Sequence, residues 1–527
     1  MQILFNAYVY TGFKDAPIVT ALLLHDDRIL AAGSDDEIFA AAPSGTPRQD
    51  MQGKTLLPGL TDSHMHLKHF SLGLQSVNGE TDTIEECLRR VEEKAQATPA
   101  GDWVQGWGWN HNVWNGQYGT AAQLDRAAPD HPVILSAKSG HAAWANSRAL
   151  QIAGIDAATP DPEGGLIQKD ANGKPTGILF ETAEQLVTKH VPAPTQAVLK
   201  DAVMGAQEHL WRLGVTALHD FDTPDLFAAL QELDRERGLN LRVVKGIPVD
   251  ILDHAIESGL HTGFGSDHLR IGSVKVFMDG ALGPQTAAML EPYENSTQKG
   301  ILALTAAEVY EIGQKASAHG LSLAIHAIGD LANREVLDAY EKLRKYEQEQ
   351  HLRPLRHRIE HVQLLHPQEY ARLAKLNIIG SVQPLHATSD MVMADKFWGS
   401  RAAGAYAFNT LLRQGTQVTF GSDAPVEVPD PFAGLHAAVT RRRKDGTPGE
   451  QGWNPEQRIS LSEALYAYTA APAYAAGMED YAGRLTAGYY ADLIVLDRDP
   501  FSLPVQELYQ LRPSATMVGG KWVWQGE

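Results

Sequence analysis

Short apolar runs recur through the middle of the chain, each followed by a stretch with helical periodicity. Eight of them lie near residues 55–66, 215–221, 241–247, 271–278, 322–328, 358–362, 378–383 and 417–422. They are rich in Val, Ile, Leu and Ala and show little alternation with polar residues, the pattern of parallel strands buried on both faces. Helical segments such as 306–319 and 462–468 intervene. Eight strands joined by crossover helices predict a closed (β/α)8 TIM-type barrel rather than an open sheet.

Two regions depart from this rhythm. About 150 residues separate the first two strands, too many for one crossover, so an inserted subdomain is expected at about 72–212. Tryptophans concentrate there: Trp103, Trp107, Trp109, Trp114 and Trp144. They form either the core of the insert or, with Trp107 and Trp144 as candidate substrate-binding residues, an apolar lid at the barrel mouth. Residues 1–57 and 485–527 read as short strands joined by polar turns, each set too small to bury a sheet face alone. The two ends are expected to combine into one small β-sandwich flanking a barrel domain of residues 58–484. The run Arg441-Arg442-Arg443-Lys444 reads as a solvated helix end.

Composition narrows the function. The 527 residues carry a net charge of −19, which disfavours a nucleic-acid partner. No apolar run of about 18 residues suggests a membrane span. The start, Met1-Gln2-Ile3-Leu4-Phe5-Asn6-Ala7, lacks a basic segment, so no signal peptide is expected and the cytoplasm is the default location. Cys87 is the single cysteine, which excludes an internal disulfide and a cysteine-based metal site. Histidine, in contrast, occurs 21 times.

The histidines supply the candidate chemistry. In Leu57-Pro58-Gly59-Leu60-Thr61-Asp62-Ser63-His64-Met65-His66, the two imidazoles are two residues apart and face one side of a strand. His326, His361 and Asp423 each close a later strand. In a barrel all of these strand ends meet at one rim. Four imidazoles and a carboxylate there suit Zn²⁺ or a similar divalent ion.

The chain resembles the amidohydrolase superfamily of metal-dependent hydrolases, in its family-3, YtcJ-like branch, which includes N-substituted formamide deformylases. The resemblance runs over nearly the whole chain. It is carried by His64-x-His66, the insert around residues 107–180, Val274-Lys275-Val276-Phe277-Met278-Asp279-Gly280, His326-Ala327-Ile328-Gly329-Asp330, Arg358-Ile359-Glu360-His361, Gly421-Ser422-Asp423-Ala424-Pro425 and Gly488-Tyr489-Tyr490-Ala491-Asp492-Leu493. It implies one or two divalent ions, with His64, His66 and Asp423 on the first and His326 and His361 on the second. Lys275 matches the bridging lysine that is carboxylated on its ε-nitrogen in many members. Lys245 is a lesser competitor for that place.

The resemblance also implies the reaction, attack of a metal-activated hydroxide on a carbon–nitrogen bond, with Asp423 moving the proton. His141, in the insert, and His219, at the end of the second strand, are candidate oxyanion contacts. Gln383, at the end of the seventh strand, is a candidate substrate contact. Asp279 and Asp330 are candidate partners of the ligands, and Glu360 is expected to point away from the side that His361 faces. The expected substrate is a small linear amide, an N-substituted formamide or an N-acyl amine. Cyclic amide hydrolysis, mononuclear deamination and a non-catalytic regulatory protein are the alternatives. A homodimer is expected, symmetric dimers being the commonest oligomers.

Overall fold

The computed structural model describes residues 1–13 and 16–526. The chain divides into two compact units, one made of Met1–Lys68 with Val203–Glu527 and the other of His69–Ala202. The second boundary falls inside the helix Gln196–Arg212.

The first unit contains the barrel. Its strands are β1 (Leu60–Met65), β2 (Val215–Asp220), β3 (Arg242–Pro248), β4 (Leu269–Phe277), β5 (Leu323–Ala327), β6 (Arg358–His361), β7 (Ile379–Val382) and β8 (Val418–Phe420). They pair in chain order and in parallel from β1 to β8. Closure between β8 and β1 comes from the Ser63 hydroxyl donating to the Phe420 carbonyl at 2.7 Å and from a parallel bridge between Met65 and Ala424. Every residue of β1, β6, β7 and β8 is buried. This explains the missing alternation: one face packs on the surrounding helices and the other fills the barrel. The intervening helices start where the sequence supplies caps. Thr305 with Glu308, and Ser460 with Glu463, form capping boxes for Ala306–Ala318 and Leu461–Ala467.

The first apolar run is two strands, not one. Thr55–Pro58 joins a terminal sheet and Leu60–Met65 opens the barrel, with the break at Gly59. A Cβ on Gly59 would lie 2.2 Å from Oγ1 of Thr216 on β2, so only glycine allows the two chains to approach this closely. The terminal sheet has the order Lys521–Gln525, Ala515–Val518, Leu493–Leu496, Thr55–Pro58, Tyr8–Tyr10 and Ile18–Val19, so strands from both chain ends lie side by side. With the four-stranded sheet built on Gln2–Phe5 it encloses a core of Leu4, Val9, Leu24, Leu56, Leu493 and Met517. Asp492 ties this layer to the barrel by accepting from Arg242 Nε at 2.5 Å and Nη2 at 2.9 Å.

One residue of the arginine run departs from its reading as a solvated helix end. Arg441 is fully buried at the C-terminus of Pro431–Thr440. It donates to the carbonyls of Trp453 at 3.0 Å and Tyr406 at 3.2 Å, and its guanidinium lies 5.1 Å from the Phe408 and Trp453 rings. The aromatic rings and loop carbonyls that accommodate this charge come from segments outside the run.

The second unit is a mixed sheet of six strands with its own core. Trp109, Trp114 and Trp144 pack edge to face or stacked within it, with ring centroids 6.1–6.5 Å apart. Trp144 has no exposed surface, which makes it a core residue rather than a substrate contact. Trp107 is 40% exposed, on the strand Val104–Trp109. Among the described residues no helix is long and apolar enough to cross a membrane.

Candidate metal centre

The C-terminal ends of β1, β6 and β8 bring three predicted residues together. His64, His361 and Asp423 each offer a ligand atom within 4.8 Å of the other two. The approach depends on local backbone. Asp423 follows β8 with φ 60° and donates its N–H to the His64 carbonyl at 2.7 Å, so the carboxylate is carried by the edge of β1. His361 ends β6 with φ 75° and Val362 continues at φ 46°. A non-glycine residue in this region is uncommon, and here it breaks the alternation of the strand. Glu360 and His361 therefore serve the same centre, contrary to their expected opposite facing.

The imidazoles form a contiguous row. Ring centroids are 5.7 Å apart for His66 and His64, 4.9 Å for His64 and His361, and 4.5 Å for His361 and His326. His66 Nε2 and His64 Nε2 lie 3.4 Å and 3.5 Å from Asp423 Oδ1. The other ring nitrogens are held from behind. His64 Nδ1 is 2.6 Å from Glu360 Oε2, His66 Nδ1 is 3.3 Å from Asp222 Oδ1, and His361 Nδ1 is 2.9 Å from Gln383 Oε1. Carboxylate and carbonyl partners of this kind orient metal-ligating histidines and leave the far nitrogen for the ion. His64 Nε2 is buried and has no hydrogen-bond partner, which fits a metal-ligand atom.

The charges fit a cation. Burial pushes His64 and His326 down to about 4, aided by Lys275, so both rings are neutral donors. Burial, then His326, holds His361 well below its ordinary range. Asp423 is also buried, but His386, His66 and His64 outweigh this and keep it well below the usual carboxylate range. His66 moves the other way, to about 9, because Asp222 and Asp423 overcome its burial. The pocket thus sets the neutral nitrogen donors of His64, His326 and His361 beside the ionised Asp423, a donor set that suits a divalent ion.

The remaining predicted residues divide by position. Lys275 on β4 is buried, with Nζ 4.7 Å from the Phe221 ring and 5.0 Å from Phe277, and burial pushes it down to about 8. Lys245 is instead an ion-pairing lysine, 2.9 Å from Asp220 Oδ2 and donating to the Gly246 carbonyl at 3.0 Å. His326 Nε2 lies 3.1 Å from the Gly280 carbonyl and 3.4 Å from Asp279 Oδ1, and Asp279 also accepts from the backbone N–H groups of Ala288, Ile328 and Gly329. Asp330, expected as a partner of His326, accepts from Leu290 N–H at 2.8 Å. His219 is buried and takes a hydrogen bond from Arg358 at 2.8 Å on Nδ1. Gln383 is buried behind His361 and orients that ring. His141 belongs to the second unit, where it is exposed and 3.1 Å from Glu181.

One residue of the centre escaped the sequence reading. His386, in the first turn of the helix Pro384–Trp398, points Nε2 at Asp423 Oδ2 from 3.3 Å and Nδ1 at Glu427 Oε1 from 3.9 Å. It is pushed up to about 10, since these carboxylates outweigh its burial. The proline one residue after Gln383, which starts this helix directly at the strand end, was the available signal.

An eight-stranded parallel barrel with imidazoles and a carboxylate converging at its C-terminal rim defines the class: a barrel protein with a candidate metal site at the ends of its strands. The model of the amidohydrolase family matches residues 49–524, and the chain belongs to that family. It is 32% identical to YtcJ of Bacillus subtilis (strain 168), over 99% of this chain and 98% of that protein. It is 30% identical to an N-substituted formamide deformylase of Arthrobacter pascens, over 98% of this chain and 96% of that protein. The crystal structure of an uncharacterized metal-dependent hydrolase from Pyrococcus furiosus superposes with a TM-score of 0.79 at 32% identity, covering 95% of this chain and all of that one.

Proposed function

We propose that this protein is a metal-dependent hydrolase of linear carbon–nitrogen bonds, acting on an N-substituted formamide or N-acyl amine. The carrying observation is the convergence of His64, His361 and Asp423 within 4.8 Å, with the buried Nε2 of His64 left without a partner. The formamide deformylase relative supports the substrate class.

His64, His66, His361 and Asp423 would hold the principal ion, with Lys275 and His326 as the adjoining ligands for a second. A divalent ion in such a site acidifies a bound water and polarises a carbonyl. Asp423 is kept ionised by its neighbours and is the base: one carboxylate oxygen receives the water proton, while His386 Nε2 orients the other from 3.3 Å. The same carboxyl group then returns the proton to the departing amine nitrogen, which acts as general base and general acid in turn. Lys275 has its Nζ over aromatic rings rather than on a carboxylate, which leaves the amine open to carboxylation by CO₂.

The direct test is release of amine from N-benzylformamide, N-butylformamide and matched N-acetyl amines by zinc-reconstituted protein. Amine release supports the proposal. Turnover only of cyclic amides or of aminated heterocycles would replace the linear substrate class.

A further inference from the structure

The guanidinium of Arg358 lies inside the barrel, 3% exposed, and reaches four of the eight strands. From β6 it donates through Nη1 to His219 Nδ1 on β2 at 2.8 Å. Through Nη2 it donates to the Ser63 carbonyl on β1 and to Ser381 Oγ on β7, both at 2.6 Å. Nε bonds one oxygen of Glu360 on its own strand, and Nη2, whose two hydrogens serve three acceptors, approaches the other at 2.9 Å.

These bonds constrain where hydrogens sit on two imidazoles. Guanidinium is donor-only, with five N–H groups in a fixed fork. Glu360, clasped through both oxygens, is an ionised acceptor. Its Oε2 lies 2.6 Å from His64 Nδ1, so that nitrogen must carry a hydrogen. The lone pair of His64 then resides on Nε2, the buried atom without a partner that faces Asp423. His219 is fixed in the opposite sense. Its Nδ1 accepts from Arg358, so its hydrogen sits on Nε2.

We infer that Arg358 is a positioning residue that sets opposite tautomers in two histidines: through Glu360 it presents His64 Nε2 as a metal donor, and directly it makes His219 a hydrogen-bond donor through Nε2. The first half rests on the reading of His64 as a ligand. The second half stands on geometry alone and bars His219 from ligation through Nδ1. Arg358 also holds the Ser63 carbonyl, so it anchors both the ring and the adjoining backbone of His64. A lysine at this position would offer three donors without the fork and could not clasp Glu360 while bonding Ser63 and His219.

Two measurements on the full-length protein test this. The first is ¹⁵N NMR of metal-free, ¹⁵N-histidine-labelled protein, with signals assigned by their loss in His64→Asn and His219→Asn. His64 is expected as the Nδ1–H tautomer and His219 as the Nε2–H tautomer; the reverse at either ring overturns the inference. The second is zinc affinity by competition with a chromogenic chelator. Arg358→Lys and Glu360→Gln are expected to weaken zinc by about 10- to 100-fold, the usual effect of losing a partner behind a ligand, and to mix the tautomers of His64. Zinc binding by these variants as tight as wild type, with tautomers unchanged, also overturns it. If either variant fails to fold, the wild-type tautomers decide. A wild-type protein that binds no zinc would refute the metal reading and leave the tautomer test standing.

Discussion

His64 Nδ1 and Glu360 Oε2 meet at 2.6 Å with neither side chain exposed. This contact joins the first and sixth strands across the barrel interior and leaves Nε2 as the outward-facing nitrogen of His64. The centre is therefore supported from below by buried charge, while the ligand atoms gather above it. A buried carboxylate needs a partner, and here it has two, the Arg358 guanidinium and the His64 imidazole.

Asp423 is the group through which the proton moves. Asp423→Asn removes the base while nearly preserving shape. It is expected to lower kcat by about 10²- to 10⁴-fold, the usual worth of a positioned general base, with the circular dichroism spectrum unchanged. Steady-state kinetics at saturating zinc checks this, and activity within a fewfold of wild type would remove Asp423 from that role.

Trp144 separates a packing role from a binding role. Its ring fills the core of the second unit against Trp109 and Trp114. Trp144→Ala is expected to cost about 3–5 kcal/mol, as for other large buried aromatics. The loss should appear in denaturant unfolding of the second unit, with the zinc content of the folded protein unchanged.

Gly59 is predicted to tolerate no side chain. Gly59→Ala drives a methyl group into Thr216 and is expected to destabilise the first unit by about 1–3 kcal/mol. Thr216→Ala in the same chain removes the 2.2 and 2.5 Å contacts but keeps Cβ at 2.9 Å, so it should recover part of that loss. A double-mutant cycle in thermal unfolding measures the coupling.

Acid should expose an ion pair remote from the candidate metal centre. Glu347 Oε1 is 2.7 Å from His357 Nε2, and Arg344 lies 2.8 Å from its other oxygen. Burial raises this carboxyl, but His357 and Arg344 outweigh it and hold it at about 2, against an ordinary value of 4.5. Because the folded-state value is depressed, the stabilisation is present above pH 4.5 and is lost as pH falls toward 2. Glu347→Gln should flatten the decline of melting temperature over that window, relative to wild type.

Much of this architecture was legible because a barrel writes itself as repeated apolar runs, and because its strand ends share one rim. His64, His326, His361 and Asp423 were readable at those ends without any knowledge of contacts. What could not be read depends on backbone excursions and distant neighbours. The φ of 75° at His361 turns Glu360 and His361 to a common task, and no periodicity signals it. His386 sits on a helix with no motif around it, and its role arises only because Pro384 starts that helix beside Asp423. Arg441 looked solvated because the aromatic rings that bury it come from other segments. Composition does not say which of the insert's tryptophans make its core, so Trp144 could not be told from a substrate contact.

The central claim is that His64, His361 and Asp423 bind a catalytic divalent ion. The most direct test is metal content per chain by elemental mass spectrometry after zinc reconstitution and desalting, on wild type and on His64→Asn, His361→Asn and Asp423→Asn. The account predicts at least one tightly held zinc per wild-type chain and its loss or sharp weakening in each variant. Wild-type protein that retains no metal, or variants that retain as much as wild type, would contradict it.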